Sequence, residues 1–229
     1  DFQQMFEHSS TSTTIPLIYT LVFLFLTALI VIMGVKNGIE KYSKIMMPLL
    51  FLMVIVIAIR SLTLPGASEG VRFLFYPDFS KITGDTVLAA MGQAFFSLSI
   101  GCGTIITYAS YVKKEENIIS SSAATAIMDL VFAILAGVAI MPAVFAFGLS
   151  PSEGPGLLFV IFPQIFSQIP FGAVLAILFF IVLFFAALTS SISLLEVVVA
   201  FLSEEFKLKR NLATIIASLS VTIVAALCS

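Results

Sequence analysis

Gly92-Gln93-Ala94-Phe95-Phe96-Ser97-Leu98-Ser99-Ile100-Gly101-Cys102-Gly103 sits near the middle of an apolar stretch that runs from Val87 to Tyr111. Two glycines two residues apart, beside two serines, weaken an α-helix at about its midpoint, since Gly costs ~1 kcal/mol against Ala in a helix. The whole stretch is long enough to cross a bilayer, which takes ~20 apolar residues. A helix broken at mid-bilayer frees backbone carbonyls and points half-helix ends at a cavity, as in the substrate and ion sites of many secondary transporters. A close-packed contact between small residues accounts for the same pattern. This segment alone does not choose between the two.

Five more apolar stretches flank it: Ile15–Met33, Ile45–Arg60, Ile118–Leu149, Ala173–Leu202 and Leu212–Cys228. Hydrophobic residues make up 60% of the 229-residue chain and charged residues only 10%, against ~45–50% and ~25% in soluble domains. That composition excludes a water-soluble fold and a disordered chain. With a formal net charge of −2 it also excludes a nucleic-acid binder. Cys102 and Cys228 both lie in apolar stretches, so no disulfide framework is implied. Inside lipid the backbone must satisfy its own hydrogen bonds, and strands would show alternation, so each stretch reads as a helix. The expectation is an all-α membrane protein, one membrane domain over residues 1–229 with about six transmembrane helices.

Charge placement orients these helices. Eight of the 11 Lys and Arg residues fall on alternate loops: Lys36, Lys41 and Lys44, then Lys113 and Lys114, then Lys207, Lys209 and Arg210. The positive-inside rule puts those loops in the cytoplasm and the Asp1–Thr14 segment outside. Arg60, Arg72 and Lys81 are left for the outer face. The expected location is a plasma membrane, a bacterial inner membrane by the resemblance given below. The chain opens on Asp1 without an initiator Met and stops at Ser229 directly after an apolar run, which reads as a piece of a longer membrane protein.

Polar residues at membrane depth mark function. Asp129 lies about a third of the way into the fourth stretch. An ionised carboxylate there costs ~2.5–3.5 kcal/mol, so it should face a cavity and find a partner. No Lys, Arg or His occupies another span's interior, which leaves a bound cation or a proton; a protonated structural Asp is the alternative. In the fifth stretch, Ala186-Ala187-Leu188-Thr189-Ser190-Ser191-Ile192-Ser193 carries four hydroxyls in five residues. These can present oxygens to a hard cation such as Na⁺, or bond back to their own helix. Glu196, two turns on, lies nearer the cytoplasmic end and reaches toward polar groups there. Gly38, ten residues before Pro48 with charges between, describes a helix start able to unwind, or ordinary loop punctuation.

Four strings in this order resemble the neurotransmitter:sodium symporter family on its bacterial amino-acid transporter branch: Gly34 to Pro48, Gln93 to Gly103, Ile106-Thr107-Tyr108-Ala109-Ser110-Tyr111, and Phe185 to Ser191. The resemblance covers essentially the whole chain. It implies an inverted-repeat sodium symporter fold of the leucine-transporter kind, with the six stretches as helices four to nine. It also implies roles. Carbonyls of Phe96, Ser97 and Ser99 would take a substrate ammonium group beside Gly103, and Phe96 would cover the substrate. Cys102, Ser190 and Leu194 would line the side-chain pocket. Ser97 and Asp129 would hold one sodium ion; the Ala186 carbonyl and the Thr189 and Ser190 hydroxyls would hold a second. Ser110, Tyr111 and Glu204 fall at the cytoplasmic gate, and Gly38 and Pro48 at a motif whose unwinding opens a water path to the second sodium.

Departures from the family pattern carry information. Asp129 stands where many members have Asn, and Ala133 lacks the expected hydroxyl or carboxylate. A fixed charge at Asp129 would replace the chloride of animal members, giving sodium-dependent, chloride-independent transport. Cys102 replaces a Phe of the leucine-selective relative, which enlarges the pocket for hydrophobic or aromatic L-amino acids. The resemblance thus implies alternating access driven by two sodium ions, with no organic cofactor, a lipid bilayer as surroundings and an amino acid as substrate. A non-transporting sensor or channel of the same fold is the alternative. An intramembrane enzyme would need a catalytic pair, yet the lone histidine, His8, lies on the outer tail and Asp129 is the one intramembrane aspartate.

Overall fold

The computed structural model describes residues 14–113, 115–148, 159, 163, 166–167 and 170–228. Residues 1–13 of the expected outer segment, with His8, lie outside the described residues, as do Lys114 and Leu149. The described chain is helical without strands. Helix α1 covers Thr14–Ile32; one turn of π-helix, Val35–Glu40, leads directly into α2, Lys41–Leu62. Then come α3 (Ala67–Phe75), a 3₁₀ turn (Phe79–Lys81), α4 (Gly84–Ser97), α5 (Thr104–Ser110), α6 (Ile118–Ala146), α7 (Gly172–Glu205) and α8 (Arg210–Cys228). Among the described residues, four helical segments are long and apolar enough to cross a membrane: Thr14–Ile32, Val35–Leu62, Ile118–Ala146 and Gly172–Glu205.

Local chemistry sets the helix ends. Pro16 falls in the first turn of α1, where its missing N–H has no helical partner to lose. Thr83 caps α4 through a reciprocal pair with Thr86, and the Asn117 side chain accepts the Ser120 N–H to start α6 at 3.1 Å.

One of the sequence expectations needs revision. The second apolar stretch was expected to start at Ile45, after a basic loop, but helix begins at Val35 and includes Lys36, Lys41 and Lys44. Those lysines sit on helical turns and not in a loop, where Lys44 pairs with Glu40 one turn earlier at 2.6 Å. The break expected within Val87 to Tyr111 is present: α4 ends at Ser97 and α5 starts at Thr104.

The chain divides into two compact units. The first comprises residues 1–50 and 158–229, where α1, α7 and α8 pack together. Lipid is as apolar as the side chains, so association there rests on close packing and small residues. Ala213 and Ala217 of α8 are accordingly buried, together with Val31 of α1 and Ile192 and Val199 of α7. Phe23 and Phe184 meet edge to face, with ring centroids 5.9 Å apart.

The second unit comprises residues 51–157. Here α3 lies against α6, with Gly70 so close that a Cβ would stand 2.5 Å from the Met141 carbonyl oxygen and 2.5 Å from Pro142 Cα. Pro142 supplies no N–H to its own helix, so one ladder bond is missing where α3 docks. The aromatic pairs Phe73–Phe145 and Phe51–Phe132, both at 5.1 Å, complete this unit's packing.

Candidate functional site

The break between α4 and α5 has a definite construction. Ser99 N–H donates to the Phe96 carbonyl at 3.0 Å, and Ile100 N–H to the Phe95 carbonyl at 2.9 Å. That pair of bonds is a Schellman closure, which places Ser99 in the left-handed conformation, at φ 55°. Glycine is the usual occupant, because a side chain costs ~1–2 kcal/mol in that region. Gly101 and Gly103 follow at φ 92° and 78°, so three of five consecutive residues turn left-handed and no helix can run through. The Phe96 carbonyl spends one lone pair on Ser99, while the Phe96 ring is 78% exposed. Cys102 is exposed as a free thiol.

In the same unit Ser97, the last residue of α4, donates its hydroxyl proton to Asp129 of α6. The Ser97 Oγ lies 2.7 Å from one carboxylate oxygen and 2.9 Å from the other. Among the described residues the ion pairs are Lys44–Glu40, Lys81–Asp78 and Arg210–Glu196, so none reaches Asp129. The hydroxyl thus hydrogen-bonds both oxygens of the half-buried carboxylate. Two carboxylate oxygens and the lone pairs of a serine hydroxyl gathered at a helix end are the hard, oxygen-only ligands a small cation takes. Ala133, one turn along α6, adds no polar atom.

The hydroxyl row lies on α7 in the first unit. Thr189 Oγ1 donates to the Phe185 and Ala186 carbonyls, each at 3.0 Å, and Ser190 Oγ donates to the Ala186 carbonyl at 3.1 Å. Bonding back to the helix, which the sequence left open, is therefore the arrangement seen. It also brings the Thr189 and Ser190 hydroxyls each within hydrogen-bond reach of the Ala186 carbonyl. A cation would draw on the same three oxygens once the hydroxyl protons turned outward. Leu194 is exposed one turn further on.

The remaining residues of interest are placed as follows. Ser110 closes α5 and donates to the Thr107 carbonyl at 2.7 Å. Tyr111 follows, its ring 6.5 Å from that of Tyr108, and Glu204 is exposed in the last turn of α7. Gly38 lies in the π-helical turn, wound and buried. A Cβ on it would stand 2.1 Å from the Ile30 carbonyl oxygen. Glycine is required there because the chain folds back onto the end of α1. Pro48 lies inside α2.

Sequence reasoning expected Glu196 to reach polar groups near the cytoplasmic end but missed which groups these are. Glu196 is fully buried on α7 and binds Arg210, the first residue of α8, through both guanidinium nitrogens at 3.0 and 2.5 Å. Arg210 Nε donates in turn to the Val31 carbonyl at 3.0 Å, a group left over where α1 ends before Gly34 (φ 85°). The signal available was weak: an acid inside an apolar helix, and an arginine that looked like one more loop charge.

Known proteins share this sequence and this fold. The sequence model of the sodium:neurotransmitter symporter family matches residues 4–229. A sodium-dependent transporter of Bacillus subtilis strain 168, YhdH, is 48% identical over 191 residues, which is 83% of this chain and 42% of the relative. A sodium-dependent transporter of Haemophilus influenzae is 43% identical over 198 residues, 86% of this chain and 43% of the relative. The crystal structure of MhsT in complex with L-phenylalanine matches at a TM-score of 0.90 and 47% identity, over 98% of this chain and 51% of that one. The chain therefore spans about half the length, or less, of these relatives.

Proposed function

The chain belongs to the sodium:neurotransmitter symporter family, and from that premise we propose that the protein is a sodium-coupled symporter of hydrophobic or aromatic L-amino acids. The family consists of transporters and not enzymes, and the long apolar helices make this an integral membrane protein. The observation that carries the reading is the Ser97–Asp129 contact at the end of the broken helix. It offers a fixed negative charge and neutral oxygens where the backbone leaves its helix.

Sodium bound by Ser97 and Asp129 stabilises the closed break, and a zwitterionic amino acid adds its carboxylate to that ion and its ammonium group to the Phe96, Ser97 and Ser99 carbonyls. Binding of each then favours the other, since coupling between two sites is reciprocal. The Ala186, Thr189 and Ser190 oxygens take a second sodium. Its release to the cytoplasm follows loosening of the helix between Gly38 and Pro48. The substrate class is supported by the MhsT complex with L-phenylalanine and by the small Cys102 side chain beside the break.

Asp129 also makes chloride unnecessary, because its carboxylate supplies in fixed form the charge that chloride brings to animal members. The location is a bacterial inner membrane, with the residue 1 end outside. The test is uptake of radiolabelled Phe, Tyr, Trp, Leu and Ala by the native-length protein in proteoliposomes with an imposed inward sodium gradient. Concentrative, sodium-dependent uptake is expected, unchanged when gluconate replaces chloride. Downhill flux only would overturn symport in favour of a channel-like protein, and a several-fold fall in gluconate would overturn the role of Asp129.

A further inference from the structure

Three contacts join α1 to α7 and α8 along the first unit. Phe23 stacks edge to face on Phe184. One turn on, Thr27 Oγ1 lies 3.2 Å from Ser191 Oγ. Another turn on, the Val31 carbonyl meets the Arg210 guanidinium that grips Glu196. The middle contact stands out chemically. From Leu21 to Ile32, Thr27 is the single polar residue of α1, and it is fully buried. A hydroxyl in such a place needs a partner or costs ~1–3 kcal/mol.

A threonine hydroxyl has one proton. Thr27 directs it to the Phe23 carbonyl at 2.9 Å and to Ser191 Oγ at 3.2 Å, so the proton is shared between its own helix and α7. On α7, Thr189, Ser190 and Ser193 all bond back to carbonyls of their own helix. Ser191 accepts across from α1 instead, from the position between Ser190 and Ser193. The bond therefore fixes the rotation and depth of α7 at the residue adjoining Ser190.

We infer that Thr27 is a positioning residue for the second sodium site: it holds Ser191, and through it the Ala186, Thr189 and Ser190 oxygens, in register with α1. The inference rests on reading those three groups as sodium ligands. A hard cation discriminates by the placing of its oxygens, and a site works only when supporting contacts hold its ligands to within ~0.5 Å. Thr27 touches neither ion nor substrate. It acts through the helix that carries them.

The experiment measures, on the native-length protein in proteoliposomes, the sodium concentration for half-maximal uptake at saturating substrate, and the substrate concentration for half-maximal uptake at saturating sodium. Thr27→Val keeps the shape and removes the hydroxyl. It is expected to raise the sodium requirement about threefold, and at most about twentyfold, the range of one hydrogen bond between membrane helices. The substrate requirement at saturating sodium stays unchanged. Ser191→Ala gives the same rise, the double variant gives no more than either single, and Thr27→Ser restores the parent value. A Thr27→Val protein with unaltered sodium dependence, or additive single effects, overturns the positioning role. Thr189→Val serves as the control on the site: if it leaves the sodium dependence unaltered, the second-sodium reading fails and the inference with it.

Discussion

Removing the guanidinium of Arg210 should destabilise the first unit more than removing the charge of Glu196, although both changes break the same pair. The asymmetry follows from burial. The Glu196 side chain is 0% exposed and the Arg210 side chain 28% exposed. Arg210→Met leaves a fully buried carboxylate without its cation, which costs ~3–5 kcal/mol. It also strips the donor from the Val31 carbonyl, worth ~1–3 kcal/mol where the group stays buried. The two overlap, so about 4–6 kcal/mol is expected. Glu196→Gln keeps one acceptor for the guanidinium and leaves a cation with some access to water at the end of α8. About 1–2 kcal/mol is expected for it, near the cost of weakening a charged hydrogen bond.

A third variant closes the reasoning. Glu196→Leu combined with Arg210→Met removes both charges, and apolar replacement of a buried pair is close to neutral. What remains is the Val31 carbonyl, so the double variant should recover to within ~1–3 kcal/mol of the parent. For a chain of this size each kcal/mol moves the midpoint by ~2–4 °C. Arg210→Met should then melt about 8–24 °C lower, with Glu196→Gln and the double variant well above it. The assay is circular dichroism at 222 nm during heating in detergent micelles, since the chain has no Trp to follow by fluorescence. If Arg210→Met melts no lower than Glu196→Gln, or the double variant melts at the sum of the singles, the burial argument is refuted.

Further predictions concern the unwinding motif, the pocket and one outer turn. Gly38→Ala puts a Cβ 2.1 Å from a backbone oxygen that cannot step aside. A loss of ~1–3 kcal/mol is expected despite the ~1 kcal/mol helix gain of Ala, together with faster amide exchange over residues 35–44; a raised melting point would contradict this. Cys102→Phe should weaken binding of Trp and Tyr more than that of Leu and Ala in competition assays, and an equal loss for all four would remove the pocket-size argument. In the turn before α4, hydrogen bonds from the Ser80 side chain, then Lys81, hold the Asp78 carboxyl below its ordinary value. A depressed native value means the contribution is present above the unfolded value and lost as pH falls through the native one. Amide exchange of Ser80 should therefore rise only below about pH 4, and Asp78→Asn should abolish that pH dependence.

What the sequence disclosed and what it hid follow one physical division. Apolar runs and the Gly101–Gly103 interruption are local: composition over a few residues sets whether helix is stable. The break was therefore legible, and its edges were not. Ser99 takes the left-handed cap position that propensity would give to a glycine, and only the pair of bonds to Phe95 and Phe96 shows it. The same limit applied at Val35–Lys44. Charged residues there suggested a loop, yet a Glu40–Lys44 pair and the Gly38 contact with the Ile30 carbonyl sustain helix.

Contacts between helices were the least legible. From the apolar pattern Ser97 and Asp129 could be named only as separate polar residues at depth, and it was the family resemblance that paired them at one ion. Their meeting at 2.7 Å depends on how α4 and α6 pack. Arg210 shows the difficulty most sharply. Counted as a loop charge, it helped to fix orientation, and that use required only that it sit on the basic side. Its position as first residue of α8 gives it a second task, because the chain returns it to Glu196 fourteen residues earlier and to Val31 at the end of α1. A charge that neutralises a buried acid and caps a neighbouring helix cannot be replaced by another basic loop residue. Arg210→Lys is the corresponding prediction: a single ammonium keeps the charge but loses the fork that serves Glu196 and Val31 together. It should fall between Arg210→Met and the parent in melting temperature, and a Lys variant as stable as the parent would reduce Arg210 to the loop charge it first resembled.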